Sequence, residues 1–336
     1  MSANMIASEN TDKKVLRGSI KLKPSNSKGF FSTIISQREL IIMSVPLLFY
    51  TILFNYVPVK GWIMAFQNFK PAIRNTWDQK WVGLDNFKKL FTGNTGTVFL
   101  RDVRNTFAQS FLTLVIGFIG AIILALLLNE VKNLGFKKIV QNISYLPHFL
   151  SWIIVAGLVS TMLAAPSSGG IVNDILMRLH IVKEPVLFLA DAKYFWGVVA
   201  GSHLWKELGW NTILYLAAMT SINPSLYEAA EMDGANRYHK MFHITLPGIK
   251  PTIVVLLIMN MGYLMNAGFE IQYFLGQQGA VMEKAEILDI FVLKYGIRMS
   301  NYSLATCAGI FRTFVSVIMI SITNFIAGRL GEEKLI

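Results

Sequence analysis

The sequence predicts an all-α polytopic membrane protein with about six spanning helices, and three observations carry that prediction. Hydrophobic residues make up 53% of the 336 residues and charged residues 15%, a balance too apolar for a soluble chain of this length. Residues 105–129 and 139–173 contain no Asp, Glu, Lys or Arg, and each run is longer than the roughly twenty apolar residues needed to cross a bilayer. Between two later apolar segments lies a polar interval, 223–250, whose turn and stop residues mark a folded element rather than a slack loop.

Taken in order, residues 1–39 are a basic tail carrying Lys13, Lys14, Arg17, Lys21, Lys23 and Lys28. The tail has no signal-peptide core or small-residue cleavage pattern, so the first span is expected to stay as an anchor. Its cations hold this end in the cytoplasm, and Phe30, Phe31, Ile34 and Ile35 suit a segment lying along the inner surface. Residues 40–330 then form one transmembrane domain, with spans at about 40–59, 105–129, 139–163, 194–222, 251–272 and 303–328. An even number of spans returns 331–336 to the cytoplasm as a short tail and puts 223–250 on the same side. The lysines of the long segment after span one (Lys60, Lys70, Lys80, Lys88, Lys89) decide little, because long loops obey the charge rule weakly.

Within 223–250, Glu228 to Asp233 reads as a short helix, Gly234 as the turn that ends it, Arg237 to Thr245 as a second helix and Pro247 as its stop. The result is a helical knob built for docking. The net charge of +11 is spread over tail and loops, which favours attraction to anionic lipid over nucleic-acid binding. Cys307, the single cysteine, excludes an intrachain disulfide or a cysteine metal cluster and is expected to pack. No GxxxxGK[ST] loop occurs, so nucleotide energy has to come from a partner. His239 and His243 have i, i+4 spacing but no HExxH and no third ligand. No metal site is expected, and the pair fits the docking surface better. His148, His180 and His203 support no catalytic constellation.

The order Glu228-Ala229-Ala230, Asp233-Gly234, Ile244, Leu246-Pro247 resembles the cytoplasmic EAA loop of permease subunits in binding-protein-dependent ABC importers. Trp81-Val82-Gly83-Leu84-Asp85-Asn86-Phe87, Arg104-Asn105-Thr106, Ala125-Leu126-Leu127-Leu128-Asn129 and Ser144-Tyr145-Leu146-Pro147-His148 look like the carbohydrate branch, the maltose and oligosaccharide type. The resemblance covers the chain from about residue 40 onward. It implies a MetI-like bundle in the bacterial cytoplasmic membrane, with both termini cytoplasmic, that forms half of a translocation path. It also implies a second homologous permease, two ATPase subunits that bind ATP and Mg while this chain binds no cofactor, and an external solute-binding protein that delivers a sugar or oligosaccharide.

In that reading the small Ala229 and Ala230 let the knob approach the ATPase closely, Glu228 meets a helix amino terminus or a basic group, and Pro247 and Pro251 stiffen the link to span five. Polar and aromatic residues inside apolar helices are costly against lipid and usually face a cavity or a partner. Two helical faces meet that description: Asn260 and Tyr263 with Ala267, adjoined by Asn266 and Glu270, and Trp205, Gly209 and Thr212, adjoined by Trp210 and Asn211. These are candidates for the substrate path, because aromatic planes stack on sugar rings while amides and carboxylates take the hydroxyls. Helix packing or a seam with the second permease is the other account of the same residues.

Lys206 and Glu207, neighbours about 100° apart on a helix, are not expected to share a face. Either Glu207 or Glu270 pairs with Arg312, or the segment is broken at Gly201 and Gly209, leaving Lys206 near the outer interface. Two other classes compete with the importer. A secondary transporter or channel needs no exposed knob, and a membrane-embedded transferase needs a convergent acid, base or metal cluster that the sequence lacks.

Overall fold

The computed structural model describes residues 37–331 apart from 169, 278 and 330. The basic tail, its Phe30–Ile35 segment and residues 332–336 lie outside the described residues. The chain divides into two units, residues 1–60 and 61–336. In the first, α1 (Arg38–Thr51) runs into a wide turn at Ile52–Tyr56, and a tighter helical stretch, Val57–Phe66, includes the division after residue 60. Together these residues make one apolar helix, Arg38–Phe66. Its side chains up to residue 60 are largely exposed, as expected of a helix whose natural solvent is lipid.

The second unit is built on two long helices, α3 (Gly93–Glu130) and α7 (Ala192–Thr220), which pack along each other. Ahead of α3 come a two-residue antiparallel pairing of Gln67–Asn68 with Lys80–Trp81 and the short α2 (Asp85–Phe91). Asn86 closes this region by donating from Nδ2 to the carbonyls of Ala65 and Gln67, both at 2.9 Å. The helix of the second span therefore begins about three turns before the segment read from the charge-free run, and these added turns carry polar residues, including Arg101 and Asp102.

The third span is bent rather than straight. α4 (Leu134–Tyr145) tightens at Leu146–Phe149 and then turns 105° into α5 (Trp152–Met162). Pro147 lies in the tightened turn, Leu150 is extended (φ −75°, ψ 141°), and the Ser151 side chain caps the new helix at Ile154 N. The short α6 (Ile171–Arg178) follows. α7, where the sequence places the fourth span, is unbroken over 29 residues, so Gly201 and Gly209 do not interrupt it. Among the described residues three helices are long and apolar enough to cross a membrane, Arg38–Phe66, Gly93–Glu130 and Tyr302–Arg329, and up to five if the bent pairs Leu134–Phe149 with Trp152–Met162 and Arg237–Gly248 with Lys250–Gly262 each count as one. α7 is not among them, because Lys193, Lys206 and Glu207 interrupt its apolar run.

The 223–250 segment comprises α8 (Pro224–Met232) and α9 (Arg237–Lys240), the latter extended by a wide turn at Met241–Thr245 and a last turn at Leu246–Gly248. The fifth span is interrupted. α10 (Lys250–Gly262) is 13 residues long, about 20 Å, and after the turn at 263–268 the chain resumes as α11 (Phe269–Leu275). Glu270 is thus on a different helix from Asn260. α12 (Met282–Ala285) and α13 (Leu288–Val292) connect to α14 (Tyr302–Arg329), a helix long and apolar enough to cross a membrane where the sequence places the last span.

Three apolar clusters hold these helices. Phe99, Phe291, Leu304 and the buried Cys307 join α3, α13 and α14. Val155, Phe195, Ile271 and Val281 join α5, α7 and α11. Ala121, Ala125, Tyr215 and Ile249 join α3, α7 and the root of the knob. Polar ties supplement the packing. Asn105 donates to the carbonyls of Glu283 (2.6 Å) and Glu286 (2.9 Å), and Thr106 Oγ1 accepts from Leu288 N at 2.9 Å. Arg312 is paired with Asp289, not with Glu207 or Glu270, because the 286–298 segment folds back beside α14.

Candidate functional site

The knob is more elaborate than its sequence signature. Asn223 accepts from Ser225 N at 3.0 Å and Pro224 takes the first helical position, so α8 starts four residues before Glu228. At its end Ala235 N bonds Ala230 O (2.8 Å), Gly234 N bonds Glu231 O (3.0 Å), and Gly234 has φ +75°. This double-bonded reversal needs a residue at ease in the left-handed region, which is the physical content of the glycine. Asn236 then caps α9 at His239 N (2.9 Å). Pro247 lies within the final turn instead of stopping it. The helix ends one residue beyond, where Gly248 is packed against Ile222 so closely that a Cβ would meet it at 2.7 Å.

Two contacts lock the arms together: Tyr227 Oη to Thr245 Oγ1 at 2.9 Å, and Lys240 Nζ to Glu231 Oε1 at 2.5 Å. The latter lowers the Glu231 pKa, first through the hydrogen bond and then through the Lys240 charge. Glu228, Ala229, Asp233, Gly234 and Pro247 are exposed, and Ala230, Ile244 and Leu246 are half-buried. At the tip Met232 is 90% exposed, and Tyr238 and Phe242 are exposed beside it. His243 Nδ1 lies 3.1 Å from His239 O, and among the described residues no third His, Cys, Asp or Glu joins the pair as a ligand set.

A cavity of about 260 Å³ lies between α3, α7, α10 and the 263–268 turn. Asn211, Asn260, Tyr263 and Asn266 line it, as do His203, Glu207, Ser110 and Thr113, which sequence reasoning missed. The available signal was the spacing Ser110, Thr113, Gly117, one small polar face of an otherwise apolar helix. Ser110 Oγ and His203 Nε2 are buried without a hydrogen-bond partner.

Other predicted path residues lie elsewhere. Trp205 lines a separate groove with Leu158, Met162 and Phe188. Gly209 is pressed against the Ser144 backbone, where a Cβ would sit 2.2 Å from Ser144 O. Trp210 stacks flat on His148, with centroids 4.3 Å apart. Thr212 is buried and donates to Leu208 O at 2.6 Å. Glu270 is exposed on α11, since the turn at 263–268 breaks the helical face that was to carry it.

Lys206 and Glu207 do converge, because their long side chains both reach His148. Lys206 Nζ donates to His148 O at 2.7 Å and to Glu207 Oε1 at 3.0 Å, while Glu207 Oε2 lies 2.7 Å from His148 Nδ1. The pair therefore fastens the bend of the third span to α7. The second break meets the same helix: Gly268, φ +79°, approaches His203 so closely that a Cβ would lie 2.6 Å from Nε2.

The sequence profile of the family described as "Binding-protein-dependent transport system inner membrane component" matches residues 114–332. The chain belongs to this family. Among curated relatives, the polygalacturonan/rhamnogalacturonan transport system permease protein YteP of Bacillus subtilis (strain 168) is 40% identical over 311 residues, covering 93% of this chain and 94% of its own. Protein LplB of the same organism is 39% identical over 296 residues, 88% and 90% of the two chains. A chain in the crystal structure of a bacterial alginate ABC transporter in complex with an alginate pentasaccharide-bound periplasmic protein superposes with a TM-score of 0.81. It is 37% identical and matches over 92% of this chain and 100% of its own length. This permease is thus an all-α inner-membrane transport component.

Proposed function

We propose that this permease is one half of the translocation path of an ATP-driven importer that receives a saccharide from an external solute-binding protein. The carrying observation is the helix break at 263–268, which walls the cavity beside α7 with Tyr263 and Asn266; the break at 147–151 joins it only through Glu207, which lines the cavity and holds His148. Irregular backbone at membrane depth is tolerated only where protein or a water-filled cavity satisfies it. A cavity with amide, hydroxyl and aromatic groups set along such a break is what a path for hydroxylated solutes requires. Asn211, Asn260, Tyr263, Asn266, Ser110, Thr113 and His203 are the groups offered to saccharide hydroxyls there. The relatives named for polygalacturonan/rhamnogalacturonan transport and for alginate import support the saccharide class.

In this reading the knob 223–250 faces the cytoplasm and docks on one of two ATPase subunits, which bind ATP and Mg. A second permease completes the path, and both termini are cytoplasmic. Its exposed Met232, Tyr238 and Phe242 form the apolar contact, and its locked arms pass a rigid push into α10. The test is reconstitution of the complete assembly in proteoliposomes with Gly234→Val. A β-branched residue in the left-handed region distorts the reversal, so hydrolysis should persist while ATP-driven saccharide uptake falls severalfold or more. Normal uptake by this variant removes the coupling role. Uptake that survives ATP depletion but collapses with an uncoupler would make the chain a secondary transporter, and activity of the purified chain alone would make it an enzyme.

A further inference from the structure

A second cavity, of about 250 Å³, lies among α11, α12, α13 and the 293–298 turn, lined by Gln272, Tyr273, Glu286, Lys294 and Arg298 among others. It sits at the end of α7 away from the knob: Trp196 Nε1 bonds Lys284 O at 3.0 Å, and residues 196 to 220 span about 36 Å of helix. Its charges are not balanced locally. Both Glu286 oxygens are engaged, Oε1 by Lys294 at 2.8 Å and Oε2 by Arg101, and Arg101 is shared with Asp102. Arg298 is exposed. Its contacts are the neutral Tyr273 hydroxyl, 2.8 Å away, and the same ring, 5.9 Å from the guanidinium carbon. Among the described residues no carboxylate pairs with it.

At the floor, Gln272 is fully buried with neither its Nε2 nor its Oε1 hydrogen-bonded. A planar guanidinium with unspent donors, a phenol beside it and an unsatisfied carboxamide below make a receptor for a carboxylate carried on a hydroxylated ring.

We propose that this cavity is an entry subsite selecting carboxylated saccharides, with Arg298 taking the carboxylate, Tyr273 the ring and Gln272 a hydroxyl. The proposal rests on the saccharide reading above and names the substrate class within it. Weak binding at an entry point suits saturation-transfer NMR. The assembled permease in nanodiscs is titrated with trigalacturonate and with its carboxyl-reduced counterpart, which has the same linkage and length.

Wild type should bind the acid at least about tenfold better than the neutral trisaccharide, and Arg298→Gln should erase that preference, because a charge-assisted bidentate contact is lost. No signal from trigalacturonate, equal binding of the two probes by wild type, or an undiminished preference in the variant overturns the proposal. If the variant does not assemble, the wild-type preference decides by itself. An assembly that imports a neutral saccharide yet shows no acid preference sinks this inference alone, whereas one that imports no saccharide sinks the reading beneath it as well.

Discussion

Gly209 sits where α7 meets the backbone of the bent third span, and replacing it with Ala tests that contact. An added Cβ would fall 2.2 Å from Ser144 O, 2.4 Å from Ser144 C and 2.8 Å from a Tyr145 ring carbon. Two of these atoms are backbone, so α4 has to move, and overpacking of this kind costs about 1–3 kcal/mol. Gly201, two turns away on the same helix, has nothing within 4 Å of a built Cβ. Both substitutions gain the same helix propensity, about 0.8–1 kcal/mol, so the difference between them isolates the clash.

The chain contains a single cysteine, Cys307, fully buried. The temperature at which a maleimide dye labels it therefore reports global unfolding in mild detergent. Gly209→Ala should lower that temperature by a few degrees, and Gly201→Ala should leave it unchanged or raise it. Equal midpoints would refute the close approach and restore Gly209 as a candidate for the substrate path.

Arg312→Leu should weaken the fold by stranding Asp289 beside α14, and Asp289→Asn in the same chain should recover part of the loss. A double-mutant cycle on labelling temperature should give a coupling of about 0.5–3 kcal/mol, and zero coupling would deny the pair. Lys206→Met should cost more stability than Lys206→Met combined with Glu207→Gln, since the single change leaves a carboxylate without its cation inside the bundle, and the same assay orders the two. Glu231, whose pKa is lowered by Lys240, adds to the knob's cohesion above its unfolded pKa and loses that contribution only as pH falls through the lowered folded value. Coupled uptake should therefore be flat from neutral to mildly acidic pH as far as this pair is concerned, and Glu231→Gln should reproduce at neutral pH the loosening that strong acid brings. A coupling change centred near neutrality that Glu231→Gln abolishes would contradict the sign.

The long apolar helices Arg38–Phe66, Gly93–Glu130 and Tyr302–Arg329 were legible because an apolar run of about twenty residues has few fates other than a bilayer, and the knob because Gly234, Pro247 and the flanking polar residues punctuate it. The breaks were not legible. Ser151 caps α5 and Pro147 tightens the turn before it, but both lie inside a run with no charge, and hydropathy records how apolar a residue is rather than which way its backbone turns. Periodicity failed for the same reason in the fifth span: placing Asn260, Tyr263 and Ala267 on one face assumes a helix through 263–268, where Gly268 takes φ +79°. Asn211, Asn260, Tyr263 and Asn266 still reach the cavity, the first two from helices and the others from the turn. Gly209, Trp210 and Thr212 look like path residues in sequence because small, aromatic and hydroxyl side chains serve close helix packing just as well.

The ionisable residues in the fourth span follow from the break in the third. A 105° turn at membrane depth frees backbone carbonyls that neither helix can satisfy, and leaving one buried and unpaired costs about 1–3 kcal/mol. Lys206 reaches across to His148 O, but a lone ammonium there would itself be costly. Glu207 on the next residue balances the charge and holds the His148 ring, and Trp152 lies 5.0 Å from the same ammonium. Each group answers a need created by the one before it, which ties Lys206, Glu207 and His148 into one set at the bend. That assigns Lys206 to the bend rather than to solute chemistry. Glu207, which also borders the cavity, is the member of the set through which an occupied path and the bend can influence each other.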